Sequence, residues 1–554
     1  MRGADLLVHA LQRAGVGRVF SLSGNHVMAV YDALAGSGVE LVHVRHEAAA
    51  VHMADAWARL TGRPGVALVT GGPGHANALG ALYTAAMAES PVLLLSGHAP
   101  RAQLGLGAFQ EMRQADAAAP LCKPGGAWTS EHAGRIGSDL ERALALARAG
   151  RNGPVHLSLP SDLLEERLTV APAPPVCGEA SAPPVLPLAP NQADEVLAWL
   201  GKAQRPLVLA GPWAAVGAMP AACAALHESL QVPVICMESP RGISDPAHGD
   251  LGAVLAGADA VLLLGKRVDF TLRFGNASLF ASEAQFVQLD AETRELERGH
   301  RALGPRLRMA LQADPQQAVR ALRAEAHALP ATRGPWLREV AQALAWRPPA
   351  WAAARAGQPQ RLHPVQALQP LQALLDSHPR STFIADGGEF GQWAQAVLHA
   401  PRRLINGVAG AIGPAVPFAV AARLAEPDAP VVAVMGDGTF GFHMAELDTA
   451  VRCRAPFLAV IGNDARWNAE HQIQLREYGA ARAIGCDLLP TRYDLAAAAL
   501  GAHGECIDDA SQLPAAFERA RAAMARGLPA CLNVMIESQP APVLRRPGDA
   551  LARP

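Results

Sequence analysis

The sequence predicts an α/β protein of three domains, each a doubly wound parallel sheet with helices on both faces. The chain has 554 residues, which is more than one hydrophobic core usually holds. Two proline- and alanine-rich segments, 171–190 and 347–364, divide it into blocks of ordinary domain size. Within each block, short apolar runs alternate with amphipathic helical patterns, as in sheets that are buried on both faces. We expect domains at 1–170, 188–345 and 362–545.

Each block contains several apolar runs that we interpret as strands. They are 18–22, 41–45, 65–70 and 92–96 in the first block, 206–210, 233–236, 260–264 and 286–289 in the second, and 382–385, 431–435 and 457–461 in the third. Helical patterns lie between them, including 4–14, 48–60, 413–425 and 443–453. Ligands of open parallel sheets bind beyond the carboxyl ends of the strands, so the motifs that follow these runs are candidates for the functional site.

Composition and charge exclude several kinds of protein. Half of the residues are hydrophobic and 18% are charged, which is typical of a globular chain, and the formal net charge of −2 argues against nucleic-acid or anionic membrane partners. The N-terminal pattern MRGADLLVHALQRAGV lacks the apolar core of a signal peptide, and no run of about eighteen apolar residues occurs. The eight cysteines form no CxxC pair, so we expect reduced thiols in a cytoplasmic protein.

Two acidic residues follow neighbouring strands of the third block. Asp437 lies in GDG directly after strand 431–435, and Asp464 follows the next strand in IGNDARWN. An isolated GDG is more often a plain turn, but here the intervening helix and strand bring both side chains to adjacent strand tips. Mg²⁺ prefers such hard oxygen ligands and often shares them with phosphates. The glycines that flank Asp437 allow backbone amides to approach a diphosphate closely.

This arrangement resembles the metal and diphosphate site of thiamine-diphosphate enzymes. The resemblance implies that Mg²⁺ is held by Asp437, Asp464 and the carbonyl of Arg466, and that the cofactor is contacted by Gly436, Gly438, Thr439 and Trp467. Two residues depart from the family pattern. Asp464 stands where the family has asparagine, which adds a negative charge beside the diphosphate and leaves the metal preference open. Thr439 stands where a smaller residue is more usual.

Glu47 lies in the passage VRHEAAAVHMADAWARLTGRPGVALVTGGPG, which resembles the cofactor-activating region of the same family. There the glutamate hydrogen-bonds the aminopyrimidine ring and promotes its reactive tautomer, which requires a carboxylate in a dry pocket. Taken alone, Glu47 would be interpreted as an ordinary charge at a helix N-terminus. The glycine loop 71–74 lacks the GxGxxG spacing of a dinucleotide site, and the resemblance makes Asn77 a further cofactor contact.

A third segment, INGVAGAIGPAVPF at 405–418, resembles the one that holds the cofactor in its bent form. The resemblance implies that Ile412 wedges between the two rings and that the carbonyl of Gly410 accepts the 4′-amino group. A plain helix start before Pro414 is the alternative interpretation. In ADGGEF, Gly387 and Gly388 would offer amides to the diphosphate end.

The segments RHEAAA, GAFQE and AELDTAVR look like those of acetolactate synthases and benzaldehyde lyases. By the same resemblance, His26 would exchange protons with the substrate and Gln110 would orient its carbonyl. A histidine in a surface loop is the alternative for His26. Trp467, Asn468 and His471 would line the substrate channel.

The central block points in another direction. LLLGKRVDFTLRFG at 262–275, followed by FVQLD, looks more like the nucleotide-binding central block of 2-hydroxyacyl-CoA lyases and oxalyl-CoA decarboxylases. FAD or ADP could therefore bind in the central domain, and an empty central domain is equally compatible with the sequence.

The resemblance covers nearly the whole chain, with pyrimidine-binding, central and diphosphate-binding domains in that order. It implies a thiamine-diphosphate- and Mg²⁺-dependent carboligase or lyase, similar to acetolactate synthase, that acts on 2-keto acids, aldehydes or acyloins. A 2-keto acid decarboxylase or 2-hydroxyacyl-CoA lyase is the nearest alternative, and a non-catalytic cofactor- or nucleotide-binding protein is an alternative of another class. Because sites of this family form between the first block of one chain and the third of another, we expect a homodimer or homotetramer.

Overall fold

The computed structural model describes residues 1–168, 185–326 and 333–544, and these residues form three parallel sheets flanked by helices. The predicted fold class, three doubly wound α/β domains, is confirmed. The predicted linker 171–190 lies mostly outside the described residues. The domain limits 1–170, 188–345 and 362–545 remain a proposal.

The first sheet has six strands in the order β2-β1-β3-β4-β6-β5. The strands are β1 Arg18–Ser21, β2 Glu40–His43, β3 Gly65–Val69, β4 Val92–His98, β5 Ala127–Thr129 and β6 Val155–Pro160. The helices are α1 Gly3–Arg13, α2 Met28–Leu34, α3 Glu47–Thr61, α4 Pro73–Met87, α5 Gln114–Ala118, α6 Ile136–Arg148 and α7 Ser161–Glu165. The four predicted strands lie within two residues of β1 to β4, and β5 and β6 were not predicted.

The second sheet has five strands in the order β11-β10-β9-β7-β8. The strands are β7 Pro206–Ala210, β8 Val234–Cys236, β9 Ala260–Leu264, β10 Gln285–Asp290 and β11 Leu307–Gln312. The helices are α8 Pro190–Lys202, α9 Met219–Leu230, α10 Leu251–Gly257, α11 Thr293–Leu303, α12 Pro315–Ala324 and α13 Gly334–Ala345. The chain leaves β7 toward β8 on one side and returns to β9 on the other, so the strand order reverses between β7 and β9.

The third sheet has the order β13-β12-β14-β15-β17-β16, which repeats the topology of the first. The strands are β12 Thr382–Ala385, β13 Arg402–Ile405, β14 Val431–Gly436, β15 Leu458–Asn463, β16 His503–Ile507 and β17 Ala530–Met535. The helices are α14 Pro364–Leu368, α15 Gln372–Asp376, α16 Gly388–Val397, α17 Ala415–Ala425, α18 Asp437–His443, α19 Glu446–Arg452, α20 Asn468–Tyr478, α21 Tyr493–Ala499 and α22 Leu513–Ala525. The helix predicted at 443–453 corresponds to α19, and α18, which begins directly after β14, was not predicted.

Helices α3 and α17 join the first and third domains in one continuous core. Helix α3 is buried on most faces, and its many alanines allow close approach to Phe418 and its neighbours on α17. Arg59 on α3 forms an ion pair with Asp55 and donates to the carbonyl of Ile405 at 2.8 Å. The buried guanidinium is therefore compensated by both a carboxylate and a carbonyl. This packing fixes the first turn of α3, and therefore Glu47, relative to the third domain.

Two expectations about cell location concern the described residues. None of their helices combines the length and the apolar character that crossing a bilayer requires. The seven described cysteines are all free thiols, and Cys177 lies outside the described residues.

Candidate active site

A cavity of about 300 Å³ opens at the carboxyl end of the third sheet. The loops that follow β12, β14 and β15 supply most of its lining. Twelve residues that the sequence nominated line it together: Gly387, Gly388, Gly410, Ile412, Gly436, Asp437, Gly438, Thr439, Asp464, Arg466, Trp467 and Asn468. Segments that are up to about 80 positions apart thus meet at the strand tips, where parallel sheets place their ligands.

Asp437 and Asp464 enter this cavity from the ends of neighbouring strands. Burial raises the pKa of Asp437 to about 7, and the proximity of Asp464 adds to the effect. Burial also raises the pKa of Asp464 to about 6, although the Ser538 hydroxyl donates to its Oδ2 at 2.9 Å. Asp437 Oδ2 is buried without a hydrogen-bond partner among the described residues. Two adjacent carboxylates, one with an unused buried oxygen, fit a divalent cation such as Mg²⁺.

The turn after β15 orients the third expected ligand. Ala465 has a φ of +56°, a left-handed conformation that is costly for a residue other than glycine. Buried Asn463 holds the turn, since its Oδ1 accepts from the Ala465 amide at 3.2 Å and its Nδ2 donates to Asn533 at 3.1 Å. The Arg466 guanidinium pairs with Asp487 at 3.0 Å. A guanidinium is itself a cation, so the backbone carbonyl is the only group of Arg466 that could bind a metal ion.

Two glycines of the cavity are required by close packing. A Cβ on Gly438 would lie 2.6 Å from the indole ring of Trp467, and a Cβ on Gly387 would lie 2.6 Å from Ile412. The unusual Thr439 is accommodated because its hydroxyl donates to the Gly436 carbonyl at 3.0 Å and stays within the turn. The backbone of these loops is thus left bare toward the cavity, which suits a diphosphate.

Asp386 is a residue of this site that the sequence analysis missed. It is buried at the end of β12, and its Oδ1 accepts from the amides of Gly387 and Gly413 at 2.6 and 3.0 Å. Its Oδ2 accepts from the Ala415 amide at 3.0 Å. One carboxylate therefore ties the Gly387 turn to the segment that carries Ile412. The available signal was an aspartate directly after a buried strand, but the sequence motif ADGGEF suggested only the glycines that follow it as cofactor contacts.

Glu47 begins helix α3 in the first domain and is mostly buried. Asn77 Nδ2 donates to Glu47 Oε2 at 3.0 Å, so the two residues nominated in this domain do meet. A Cβ on Gly74 would lie 3.3 Å from Glu47 Oε1 and 2.7 Å from the Thr70 methyl group. Gly74 therefore leaves space beside Oε1, the carboxylate oxygen that Asn77 does not bind.

His26 and Gln110 lie close to the same loop. His26 is buried, its Nδ1 lies 3.3 Å from the Thr70 hydroxyl, and its ring stacks on Phe109 with centroids 6.1 Å apart. Burial, followed by the nearby His98, lowers the pKa of His26, so the ring stays neutral at physiological pH. Gln110 has a φ of +57°, and its Oε1 is buried without a partner in the described part of the chain.

Other polar residues play lesser parts. Asn468 lines the cavity and donates to the Gln539 carbonyl at 2.9 Å. His98 Nε2 lies 3.0 Å from the carbonyl of Met112, in the segment that follows Gln110. His75 on α4 lies with its Nδ1 2.9 Å from the Ser96 hydroxyl on β4.

The structure therefore presents two separate groups of nominated residues. The third-domain group lines the cavity. The first-domain group, which consists of Glu47, Asn77, His26 and Gln110, does not belong to that lining. Each group is assembled locally in its own domain of the described chain.

Three family models match the chain in the order of its sheets. The thiamine pyrophosphate enzyme N-terminal TPP binding domain matches residues 1–118, the central domain matches 193–322, and the C-terminal TPP binding domain matches 386–534. The matched ranges contain both groups of nominated residues.

Several characterised proteins are similar over almost their whole length. A probable acetolactate synthase of Mycobacterium bovis is 32% identical over 551 residues, which is 97% of this chain and 96% of the relative. A 2-hydroxyacyl-CoA lyase 2 of Homo sapiens is 31% identical over 589 residues, with 96% and 90% covered. The corresponding lyase of Caenorhabditis elegans is 30% identical over 557 residues, with 92% and 85% covered.

Proposed function

The chain belongs to the thiamine pyrophosphate enzyme family and is a thiamine-diphosphate-dependent enzyme of carbon–carbon bonds, and we propose that it is a carboligase or lyase for small 2-keto acids or acyloins. The observation that carries the proposal is that both halves of a cofactor site are complete in their own domains. Asp437 and Asp464 stand at one strand edge, and Glu47 with Asn77 stands at the other. A protein that only bound a nucleotide would need neither Glu47 nor the paired aspartates.

Mg²⁺ would be held by Asp437, Asp464 and the Arg466 carbonyl, with the diphosphate on the bare turns at Gly387 and Gly438. When bound, thiamine diphosphate supplies a nucleophilic carbon and an electron sink for a carbanion next to a carbonyl. The aspartate at 464 makes this pocket more negative than the family pattern, which favours a small, highly charged cation.

Glu47 would hold the proton that tunes the aminopyrimidine. Asn77 occupies Oε2, so Oε1 is the oxygen left to hydrogen-bond the aminopyrimidine ring. Burial makes one hydrogen bond at that oxygen strong enough to shift the electron distribution of a bound ring.

His26 and Gln110 would handle the substrate. The Thr70 hydroxyl lies 3.3 Å from Nδ1 of the His26 ring, and the Phe109 backbone and the Gln110 side chain also contact the ring. These contacts would hold His26 where it could move a proton to or from a substrate oxygen. Gln110, held with an unused buried oxygen, would orient a carbonyl or hydroxyl group of the substrate.

We further propose a homodimer or homotetramer whose active sites lie between the first domain of one copy and the third domain of another. Apolar side chains are exposed beside both groups: Phe109 is 68% exposed next to His26, and Phe442 is 53% exposed above Gly413. Joining the two groups would bury these rings. A reduced, cytoplasmic enzyme is consistent with the free thiols of the described residues.

A complementation experiment tests the shared site. Glu47→Gln and Asp437→Ala are each expected to be inactive, but a mixture that exchanges subunits should recover roughly a quarter of wild-type activity, because half of the dimers are hybrids with one intact site. A mixture that stays inactive although subunit exchange is demonstrated, or a fully active monomer in light scattering, would overturn the shared site.

The substrate is decided by a direct comparison. We expect pyruvate consumption with acyloin or acetolactate formation that requires both Mg²⁺ and thiamine diphosphate. Cleavage of 2-hydroxyacyl-CoA esters without ligation would instead establish the lyase alternative, which the human relative makes the second candidate. Decarboxylation without a second carbonyl would establish the decarboxylase. Tight, metal-dependent cofactor binding without turnover of any of these substrates would favour a non-catalytic role.

A further inference from the structure

The second sheet has a crevice of the kind that binds nucleotides in other open α/β sheets. Its strand order reverses between β7 and β9, and ligands of such sheets sit at this reversal beyond the carboxyl ends. Gly211 follows β7, Gly265 follows β9, and Asp290 ends β10. These are the positions at which a turn, a phosphate and a ribose hydroxyl would be expected.

The indole of Trp213 closes the reversal point. Trp213 is only 2% exposed, and its Nε1 donates to the Leu264 carbonyl at the end of β9, at 3.0 Å. A Cβ on Gly265 would lie 2.5 Å from that Nε1, and a Cβ on Gly211 would lie 2.3 Å from the Gly265 carbonyl oxygen. The strand tips and the ring are therefore in contact, and no space for a nucleotide remains between them.

The place of a phosphate is taken by a carboxylate. Glu89 of the first domain is 1% exposed, and its Oε2 accepts from the Trp213 backbone amide at 3.3 Å. Pro212 has no amide to offer, and the Gly211 amide donates to the Leu264 carbonyl at 3.2 Å. The amides of the turn after β7 are thus already used, and the negative charge of Glu89 would repel a diphosphate.

A buried arginine completes the filling. Arg151 of the first domain reaches across to pair with Glu89 and with Asp290, and Nη1 also donates to the Gly265 carbonyl at 3.3 Å. The other oxygen of Asp290 accepts from the Glu292 amide at 3.0 Å. Both oxygens that would bind a ribose therefore have partners within the protein. Lys266 is likewise engaged, with Asp269 at 3.2 Å and Thr271 at 2.6 Å.

We infer that the protein's own side chains occupy this crevice, with Trp213 and the Arg151–Glu89–Asp290 cluster in the place of a nucleotide, so that the reversal point takes neither FAD nor ADP. The crevice instead serves as the junction that holds the first domain against the second. This inference does not depend on which substrate the enzyme uses.

The native enzyme provides the decisive test. We expect denatured, purified protein to release neither flavin nor ADP at a level approaching one molecule per chain, as measured by visible absorbance and by anion-exchange chromatography. Added FAD or ADP should leave the unfolding midpoint and the activity of the thiamine-diphosphate-loaded enzyme unchanged. Stoichiometric release of either nucleotide, or a midpoint that rises with its concentration, would overturn the inference.

A pair of variants tests which group excludes the nucleotide. Trp213→Ala together with Glu89→Gln should open the crevice and remove the charge that repels a diphosphate, so that ADP raises the unfolding midpoint of this double variant. The matched control is Trp336→Ala, because Trp336 is also buried but donates to the Pro206 carbonyl at the opposite end of β7, at 2.8 Å. ADP should leave that variant unchanged. A double variant that folds and does not respond to ADP would refute the assignment to Trp213 and Glu89, while the nucleotide content of the wild type still tests the filled crevice.

Discussion

The carboxyl ends of the second and third sheets carry similar residues, but their aspartates differ in whether their oxygens have partners within the protein. At both edges, glycines follow buried strands and aspartates project beyond them. In the second sheet, both oxygens of Asp290 have partners within the protein, and Arg151 supplies the counter-charge. In the third sheet, Asp437 keeps an unused buried oxygen, and Asp464 lies beside it on the neighbouring strand. A buried carboxylate that is satisfied internally belongs to the scaffold, whereas one left unsatisfied indicates a ligand.

The energetic reason is the cost of burying charge. A buried carboxylate without a partner is expensive, and a protein tolerates it only where a ligand restores the balance. Arg151 restores it at the second sheet during folding, without any ligand. At the third sheet a divalent cation would have to restore it. Single substitutions test this difference, by removing the carboxylate at one sheet edge or the counter-charge at the other.

Removing the unsatisfied carboxylate should have the largest effect on activity. Asp437→Ala should reduce kcat/KM on the order of a thousandfold, equivalent to about 4 kcal/mol, because it removes a metal ligand. Calorimetry should show loss of Mg²⁺-dependent cofactor binding, while the unfolding midpoint of the unloaded protein is retained or raised. Asp376→Ala, an exposed aspartate of the same domain, should leave both measurements unchanged. Unaltered cofactor binding by the Asp437 variant would break the comparison.

Removing the counter-charge of the second sheet should have the opposite result. Arg151→Met leaves Glu89 and Asp290 buried without their cation, and this should cost about 3–5 kcal/mol of folding free energy. Chemical denaturation measures the loss, and the specific activity of the folded fraction should stay near that of the wild type. Arg148→Met removes an exposed arginine three positions away and should be neutral. A cost below about 1 kcal/mol would mean that the cluster is no scaffold.

Glu47 extends the comparison to the first sheet, because Asn77 donates to only one of its two carboxylate oxygens. Glu47→Gln should lower kcat on the order of a hundredfold, since the amide cannot take up the proton that the carboxylate holds. Cofactor affinity and the unfolding midpoint should change little, because Asn77 can still donate to the glutamine oxygen. Glu40→Gln, at the exposed start of β2, is the control. A parallel loss of cofactor affinity would show instead that Glu47 is a binding residue.

The sequence allowed the scaffold of this molecule to be predicted well where strands are wholly apolar. The runs at 206–210 and 260–264 coincide with β7 and β9, because five consecutive apolar residues have few other placements. Strand β6 was missed because His156 and Ser158 interrupt its apolar pattern. Both are nevertheless buried. Gln114 donates to the Ser158 hydroxyl at 3.1 Å, a partner that the sequence does not reveal.

Residues of the functional regions also divide into those that the sequence could predict and those that it could not. Residues in compact motifs, such as Asp437 and Glu47, could be nominated because short spacings determine their position at strand and helix ends. The filling of the central crevice could not be foreseen. Glu89, Arg151 and Asp290 are far apart in sequence, and only the packing of the first domain against the second brings them together. Their individual residue types are equally compatible with a nucleotide site, which is why the sequence left FAD and ADP open.

Asp386 gives the smallest expected effect. Both of its carboxylate oxygens have hydrogen-bond partners, although it lies at the same edge of the third sheet as Asp437. Its carboxylate accepts hydrogen bonds from three backbone amides, so Asp386→Asn should cost about 1–3 kcal/mol of folding free energy. Because Asp386 positions the Gly387 turn and the Ile412 segment, the substitution should also weaken cofactor binding while kcat is retained. Burial raises the pKa of Asp386 to about 6, so the folded protein holds this proton more tightly than the unfolded chain does. The stability of the wild type relative to Asp386→Asn should therefore fall as the pH rises from about 4 to about 6, and stay constant above. Denaturation of both proteins across this range measures the difference. A difference that grows with rising pH would mean that the three amides favour the charged form and outweigh burial.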